Sequence, residues 1–450
     1  MGRIYNLENE KDFEELANHR CIQCATDQDL YKITMCCAYF YNYPRAMGEY
    51  EMVIRSDVKF PKNFAKLVRA NLHNNMQDLM FKNNELLFLK SRSPYIPFQF
   101  TDKFLRGFLY DIDNWVVLDQ DEEGHLICAL KSIDELHWAY MCELVLLEVQ
   151  VMATISELYY LATGQADVDY DEFYQRTYEK GRRLLDAGCK FADFGVRRRL
   201  SFKAEETAVR AMKQAQIDYE RKGGKEGRFA GTSNVFLAER YNLKPIGTMA
   251  HEWICFHAAI KGGPNEANFD ALEAWSKTYG GDLGIFLFDT FGWEAFDECF
   301  SLDQAMKYAG GRIDSGDNYD TFELLVHKYE SFRINPKTKQ YVFSNALTTD
   351  DAIDIQKNLR GQGEISFGIG THFVNDFPGV KPLNFVIKLL RAKLTERKKY
   401  FNETCKLSID EGKATGDPLT VALYRHLLHQ AKLRYMDGHL VPCPPTVSVK

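Results

Sequence analysis

Three side chains with catalytic chemistry follow apolar runs in the second half of the sequence. Asp289 is the last residue of the run 284–289, and Asp314 lies in the run 310–315. The third, Asp317, follows two residues after that run. Carboxylates in such places bind Mg²⁺ with a diphosphate, hold ribose hydroxyls, or stabilise a cationic sugar. Each alone is equally well explained as a helix N-cap, but that explanation is poor for all three together.

His251 follows another short run, 244–248, in the sequence Gly-Thr-Met-Ala-His-Glu-Trp. A single histidine is more often structural than catalytic, although an imidazole also acts as a nucleophile toward phosphoryl groups. Five residues separate it from His257, so the HExxH zinc motif is absent.

Several segments have the composition of anion sites. Phe194 and Gly195 precede three arginines at 197–199, whose guanidinium groups suit phosphate or carboxylate, although such a run is often a solvated face. The sequence Gly-Thr-Ser-Asn at 231–234 offers hydroxyl and amide donors, or simply a helix cap. Gly368, Gly370 and Thr371 end a late apolar run, where close backbone approach to a phosphate is favoured.

These residues must be positioned by elements that alternate between apolar runs and helical stretches. The predicted strands are 190–196, 244–248, 284–289, 310–315, 341–345 and 364–371. Such alternation indicates parallel βαβ units, and in barrels of this kind the chemistry lies at the C-terminal ends of the strands. A hairpin is predicted at 115–130, a helix capped by Ser201 over 201–222, and a tail helix over 418–434. We expect an N-terminal α/β domain at 1–150, a barrel at 151–394, and a tail, 395–450, that packs on the first domain.

Bulk properties narrow the class of protein. A net charge of −7 disfavours a nucleic-acid partner. Eleven cysteines without a regular framework fit a reducing compartment, and Cys21 and Cys24 lack the second pair that a zinc site needs. The N-terminus has no signal-peptide pattern, and the apolar stretch 141–162 contains three glutamates, which favours a core helix over a membrane span. We therefore expect a cytoplasmic protein without a membrane partner and without a protein-bound structural metal.

Together the motifs resemble those of one family, the nicotinate phosphoribosyltransferases. The segment Thr26–Met35 looks like the family's N-terminal signature, with Gln28 as an apparent insertion, and the segments around Phe194, Ser233, His251, Asp289, Asp314 and Gly368 recur in the family's order. The resemblance covers about residues 24–390. It implies a type II phosphoribosyltransferase fold: an irregular α/β barrel with an N-terminal α/β domain that the C-terminal tail completes.

The resemblance also implies an activity. Nicotinate, phosphoribosyl pyrophosphate (PRPP), ATP and water would give nicotinate mononucleotide, diphosphate, ADP and phosphate, the first step of NAD salvage from nicotinate. Mg²⁺ would accompany PRPP or diphosphate, and ATP would phosphorylate His251. The functional unit would be a homodimer with shared active sites, because the counterpart of Tyr31 comes from the neighbouring subunit in related enzymes.

Site roles follow from the same resemblance. Tyr31 and Phe194 would sandwich the pyridine ring, and Asp289 and Asp314 would stabilise the developing sugar cation. The expected substrate contacts are Arg197 in the substrate or phosphate pocket, Arg312 at the exocyclic group of the ring, Asn345 at a ribose hydroxyl, and Gly368, Gly370 and Thr371 at the 5′-phosphate.

Ser233 bears on the choice between nicotinate and nicotinamide. Relatives that use nicotinamide have an aspartate at this position, which would repel a carboxylate, whereas a hydroxyl donates to one. The sequence Ser-Asn-Ala-Leu at 344–347 departs from the family's Ser-Asp-Gly-Leu, since Asn345 lacks the charge and Ala346 lacks the freedom of glycine. Nicotinamide or quinolinate as substrate, and a non-catalytic nucleotide-binding homologue, remain as alternatives.

Overall fold

A computed structural model describes residues 2–92, 95–409 and 414–435 of the chain. Two sheets organise these residues. The strands are β1 (Met47–Ile54), β2 (Val116–Gln120), β3 (Leu126–Leu130), β4 (Lys190–Asp193), β5 (Arg228–Thr232), β6 (Ile285–Leu287), β7 (Gly310–Ile313), β8 (Gln340–Phe343), β9 (Glu364–Ile369), β10 (Phe385–Lys393) and β11 (Asn402–Glu403).

The first sheet is antiparallel, with the order β11-β10-β1-β3-β2. Strands β2 and β3 form the predicted hairpin, with Val116 opposite Leu130. Strand β1 lies between β3 and β10, and its pairing with β10 runs along its whole length with one irregularity after Glu49. Residues 385–393, which the sequence analysis assigned to the barrel, therefore form part of the N-terminal sheet.

The second sheet is parallel, with the order β5-β4-β9-β8-β7-β6, which confirms five of the six predicted barrel strands; the sixth strand of the sheet, β5, was not predicted. The predicted strand 244–248 was wrong as a regular strand: Pro245 makes only a single bridge, to Thr232. Proline lacks an amide hydrogen and cannot donate to a ladder. The segment still joins the two edges of the sheet, because Ile246 N donates to Thr232 O and Thr248 Oγ1 donates to Ile285 O. The barrel is closed irregularly at this point.

Helices cover both sheets. They are α1 (Glu10–Ala17), α2 (Leu30–Asn42), α3 (Phe64–Met76), α4 (Asn83–Arg92), α5 (Ile112–Trp115), α6 (Met141–Leu144), α7 (Glu148–Ala162), α8 (Tyr170–Asp186), α9 (Phe202–Arg221), α10 (Val235–Arg240), α11 (His251–Lys261), α12 (Ala267–Tyr279), α13 (Trp293–Cys299), α14 (Leu302–Lys307), α15 (Asn318–Ser331), α16 (Thr349–Asn358), α17 (Thr371–Val374) and α18 (Pro418–Tyr435).

Two helix predictions can be compared directly with the structure. Ser201 caps α9 as predicted, because its side chain accepts a hydrogen bond from Ala204 N. The stretch 141–162 is long and apolar enough to span a membrane, yet 89% of its most apolar window is buried within the protein. This burial makes α6 and α7 core helices. The tail helix α18 is present, whereas residues 436–450 lie outside the described residues.

Candidate active site

Two strand ends of the barrel and the irregular segment before α11 bring His251, Asp289 and Asp314 into one cluster. His251 is the first residue of α11, Asp289 follows β6 and Asp314 follows β7. His251 Nε2 lies 3.1 Å from Asp314 Oδ2 and 3.8 Å from Asp289 Oδ1. On the opposite side of the ring, Nδ1 lies 3.0 Å from Thr290 Oγ1. The imidazole is therefore held at both nitrogens beside two carboxylates.

Lys406, from the C-terminal segment, completes this cluster. Its Nζ lies 2.9 Å from His251 Nε2 and 3.2 Å from Asp289 Oδ2. Burial and the positive charge of Lys406 lower the pKa of His251 to about 4, although the two aspartates oppose this shift. The imidazole is thus neutral near pH 7, the form in which a ring nitrogen is nucleophilic.

The two aspartates are ionised and differently hydrogen-bonded. Burial would raise both pKa values, but the neighbouring groups outweigh burial and hold them below the ordinary range: His251 and Lys406 at Asp289, and Arg312 and His251 at Asp314. Ser344 Oγ donates to Asp314 Oδ1 at 2.6 Å, and Ser315 Oγ donates to Asp289 Oδ2 at 2.5 Å. In the described part of the chain, no group hydrogen-bonds to the buried Asp289 Oδ1. That oxygen is free to accept from a ligand or to contact a cation.

Whether these residues fit Mg²⁺ depends on which carboxylate oxygens of Asp289 and Asp314 are free to bind it. One free carboxylate oxygen beside a lysine is too few for a metal site made of protein ligands alone. It does fit a Mg²⁺ ion that arrives with phosphate oxygens, since this ion is usually held by one or two carboxylates and its substrate. Asp289 would be the residue that contacts it.

A narrow cavity next to His251 is lined by cations and one aromatic ring. Arg197, Lys388 and Lys406 contribute the cations, Glu148 and Glu252 two carboxylates, and Tyr31 the ring. Burial lowers the pKa of Lys388 to about 8, so its ammonium stays largely charged at pH 7. Three cations against two carboxylates favour a small anionic group beside His251.

Tyr31 reaches this cavity from the same chain as His251. The preceding loop is fixed to the barrel, where Leu30 N donates to Ser233 O at 2.8 Å and Val235 N donates to Gln28 O at 3.0 Å. The loop thus holds Tyr31 beside the barrel of its own chain, and a site shared between two subunits stays a prediction of the resemblance.

The three consecutive arginines have three different environments. Arg197 lines the cavity, whereas Arg198 donates to the carbonyl of Phe385 at 3.1 Å. Arg199 is fully buried and pairs with Asp27 at 2.7 Å and Glu205 at 2.9 Å. Only Arg197 is therefore available to a ligand in the cavity, and Arg199 attaches the N-terminal loop to the barrel.

Phe194 packs on the last strand of the barrel. A Cβ added to Gly368 would lie 2.3 Å from the Phe194 ring, and one added to Gly370 would lie 3.1 Å from the Phe194 carbonyl oxygen. Both glycines therefore leave space for Phe194. The sequence suggested another reason for glycine at these positions, close approach of the backbone to a phosphate. Thr371 begins the short helix α17 beside them.

Ser233 lies at the end of β5, almost fully buried. Its hydroxyl is beside the Asp29 carboxylate. Burial raises the pKa of Asp29, and the Ser233 hydroxyl opposes this rise. Even so, no hydrogen bond of good geometry to Ser233 Oγ forms within the described segments. Asn234, next in sequence, caps α10 by accepting from Leu237 N, as the alternative interpretation of this segment proposed.

The remaining predicted residues lie near Asp314. Arg312 Nη2 is 3.7 Å from Asp314 Oδ2, and its Nη1 donates to Met249 O at 3.4 Å. The Asn345 amide donates to Gly316 O at 2.9 Å, so it is hydrogen-bonded to the neighbouring loop after β7. Ala346 has a positive φ of 51°, the conformation for which the family's glycine is suited.

Sequence reasoning missed Lys406, Lys388 and Asp29 as members of the site. For Lys406, the sequence signal was the uncharged neighbours Thr404, Cys405 and Leu407 within an otherwise charged tail. In the structure all three are buried. A lysine flanked by such residues indicates an inward-facing ammonium group. Lys388 carries a similar signal inside the apolar run of β10.

Comparisons with known proteins agree with this geometry. The model of the nicotinate phosphoribosyltransferase (NAPRTase) family matches residues 189–432, and that of its N-terminal domain matches residues 26–156. A nicotinate phosphoribosyltransferase of Desulforapulum autotrophicum is 36% identical over 88% of this chain and 96% of its own length, and one of Chromohalobacter salexigens is 37% identical over 89% and 97%.

Solved structures give the same result. The crystal structure of nicotinate phosphoribosyltransferase from Porphyromonas gingivalis has a TM-score of 0.83 and 38% identity, covering 90% of this chain and 99% of that one. The crystal structure of a putative nicotinate phosphoribosyltransferase from Saccharomyces cerevisiae has a TM-score of 0.82 and 30% identity, covering 91% and 99%.

Proposed function

The chain belongs to the nicotinate phosphoribosyltransferase family, and we propose that it joins nicotinate to PRPP with the help of ATP. The products are nicotinate mononucleotide and diphosphate, together with ADP and phosphate, in the first step of NAD salvage from nicotinate. The observation that carries this proposal is the cluster of a neutral His251, two ionised aspartates and Lys406 at the C-terminal strand ends of an α/β barrel.

In the transfer step, the pyridine nitrogen attacks the anomeric carbon of PRPP as the bond from this carbon to the diphosphate oxygen breaks. Positive charge develops on the sugar as diphosphate leaves. Asp289 and Asp314 supply fixed negative charge beside it, in a buried site where such charge has most effect. Asp289 Oδ1, which has no hydrogen-bond partner among the described residues, would hold a Mg²⁺ ion, and this ion would supply positive charge to the leaving diphosphate.

The pyridine ring binds between Tyr31 and Phe194 in this proposal, with Ser233 donating to its carboxylate and Arg312 near its exocyclic group. Arg197 faces the phosphates, Asn345 faces the ribose through its carbonyl oxygen, and Gly368, Gly370 and Thr371 surround the 5′-phosphate. The positions of Tyr31 and Arg197 on one cavity support these roles.

ATP acts through His251. A neutral imidazole nitrogen attacks the γ-phosphorus, the bond to the β-phosphate oxygen breaks, and ADP leaves, so that a phosphohistidine forms. Water later cleaves the N–P bond and releases phosphate. The free energy of ATP hydrolysis then favours synthesis of the mononucleotide.

The proposal also covers where the protein is located in the cell and how many chains it assembles from. A cytoplasmic location is supported by the cysteines, all free thiols in the described ranges. A homodimer stays a prediction of the resemblance. If the sites are shared between subunits, activity per chain should fall when the protein is diluted below the dimer dissociation constant.

The decisive test measures diphosphate release from PRPP with nicotinate or nicotinamide, with and without ATP, in wild type and His251→Ala. We expect release that needs nicotinate and that ATP stimulates only in wild type. Preference for nicotinamide would instead indicate that the Asp29 carboxylate accepts from a carboxamide. No release with either base would favour a non-catalytic nucleotide-binding protein.

A further inference from the structure

The C-terminal segment 402–409 delivers one lysine to His251 from outside the barrel. Strand β11 attaches the segment to β10, and Thr404 Oγ1 donates to Cys255 O of α11 at 2.8 Å. Leu407 N donates to Thr290 O at 2.8 Å, directly after Asp289. Lys406 is thus fixed on both sides, against the helix that begins with His251 and against the end of β6.

The charges around His251 create a problem for an incoming polyphosphate. Asp289 and Asp314 are both anionic, so a nucleotide carrying several negative charges approaches two carboxylates within 4 Å of the imidazole. Like charges at such distances repel strongly in a buried site. Lys406 is the cation that contacts both the imidazole and Asp289, and Arg197 and Lys388 line the same cavity.

We propose that Lys406 is a phosphate-positioning residue: its ammonium binds the γ-phosphate of ATP, and then the phosphoryl group on His251, after releasing Nε2 and Asp289. This inference rests on the proposed function and adds to it a residue, outside the barrel strands, for the ATP half-reaction. The bonds made and broken are those of the phosphohistidine step, and Lys406 gains or loses no proton.

The position of the ammonium supports a mobile role. It lies on the imidazole nitrogen that faces both carboxylates, so its hydrogen bonds must rearrange before a phosphate can occupy that side of the ring. The lysine side chain is long enough to follow a phosphate while its backbone stays fixed by Thr404 and Leu407. A purely structural lysine would instead keep its pair with Asp289 in every state.

The test compares Lys406→Met, Lys406→Arg and the exposed, matched Lys398→Met, each first checked for wild-type thermal unfolding. Incorporation of the γ-phosphoryl group of radiolabelled ATP into the protein is measured against ATP concentration, without PRPP or nicotinate. Losing one charge-assisted hydrogen bond to phosphate should reduce kcat/KM for self-phosphorylation about 10- to 100-fold in Lys406→Met. We expect Lys406→Arg to recover most of this loss and Lys398→Met to match wild type.

A second readout separates positioning from general damage. The KM for nicotinate in the reaction without ATP should stay within about twofold of wild type in Lys406→Met, because the ammonium hydrogen-bonds to His251 and Asp289, which are not the residues proposed to hold the pyridine ring. Binding of inorganic diphosphate, measured by calorimetry, should weaken in Lys406→Met and recover in Lys406→Arg.

The outcomes distinguish the two proposals. If wild type neither releases diphosphate nor takes up label, the proposed function fails. If wild type does both and Lys406→Met takes up label at the same rate, only the role of Lys406 is wrong. Equal loss of self-phosphorylation and of nicotinate affinity, without recovery by arginine, would also overturn it, since that pattern belongs to a structural residue.

Discussion

Replacement of Lys32 by methionine tests how the N-terminal segment is attached to the catalytic helix. The Lys32 side chain is buried, and its Nζ lies 2.7 Å from Glu252, the residue after His251, and also contacts Glu148 of α7. Burial lowers the pKa of Lys32, but the two carboxylates outweigh this effect and raise it above its ordinary value. The ammonium therefore stays charged and joins α2, α7 and α11.

The expected loss of stability follows from the ion pairs that Lys32 makes with the two glutamates. Tyr39 and Tyr50 donate to Glu252 Oε1 at 3.2 and 2.7 Å, but hydroxyl groups do not neutralise a charge. Removing one partner of a buried pair leaves an uncompensated ion and costs about 3–5 kcal/mol. Glu148 keeps Lys388 and Arg197 nearby, but Lys32→Met leaves Glu252 with hydroxyl partners alone, so a loss in this range is expected. Adding Glu252→Gln should recover at least about 2 kcal/mol, because the uncompensated charge is then gone.

The assay is urea unfolding followed by tryptophan fluorescence, for wild type, the single variants and the double variant. Lys62→Met is the matched control, since Lys62 pairs with Glu8 on the surface with 75% of its side chain exposed. Such a pair contributes about 0–1 kcal/mol. A loss for Lys32→Met no larger than that for Lys62→Met, or a double variant no more stable than Lys32→Met, would refute the reasoning.

Four further predictions concern single sites. Ala346→Gly should raise the free energy of unfolding by about 0.5–1 kcal/mol, since relief of the left-handed conformation at φ 51° exceeds the entropic cost of glycine; an unchanged urea midpoint would contradict this. Burial raises the pKa of Glu143 from 4.5 to about 7, so its contribution to stability is present below pH 4.5 and is lost as the pH rises through 7. Glu143→Gln should therefore be more stable than wild type by up to about 3 kcal/mol at pH 8, with no gain at pH 4, in paired thermal melts. Ser233→Asp should lower kcat/KM for nicotinate at least about tenfold more than for nicotinamide through charge repulsion, whereas an equal loss for both bases would exclude a selective role. Gly368→Ala should raise the KM for nicotinate several-fold, because its Cβ would lie 2.3 Å from the Phe194 ring, and crystallography of the variant should show that ring displaced.

The sequence predicted the barrel well because its strands are short apolar runs between helices, a pattern visible within each segment. It misjudged 244–248, where Pro245 and Gly247 interrupt an apolar run that reads locally as a strand. The place of β10 in the first sheet could not be predicted. The apolar run along Phe385–Lys393 is typical of a strand, but nothing within it identifies Met47–Ile54 as its partner.

The candidate site was predictable where chemistry and strand ends coincide, as for His251, Asp289 and Asp314. Lys406 was not, because a lysine in a charged tail resembles a solvated residue until the path of the tail is known. Asp29 was missed for a related reason: it lies within the N-terminal signature, and only the packing of that loop on β5 brings it to Ser233.

The pairing of β1 with β10 has a consequence for synthesis on the ribosome. Strand β1 is made early, but its neighbour begins only at Phe385, so during most of translation one edge of β1 has no partner strand. An open edge of this kind pairs readily with other chains. The parallel strands of the barrel are complete by Ile369 and can form their sheet first. The N-terminal sheet is therefore expected to close last although it begins first, and a chain that terminates before residue 385 should aggregate rather than yield a folded fragment.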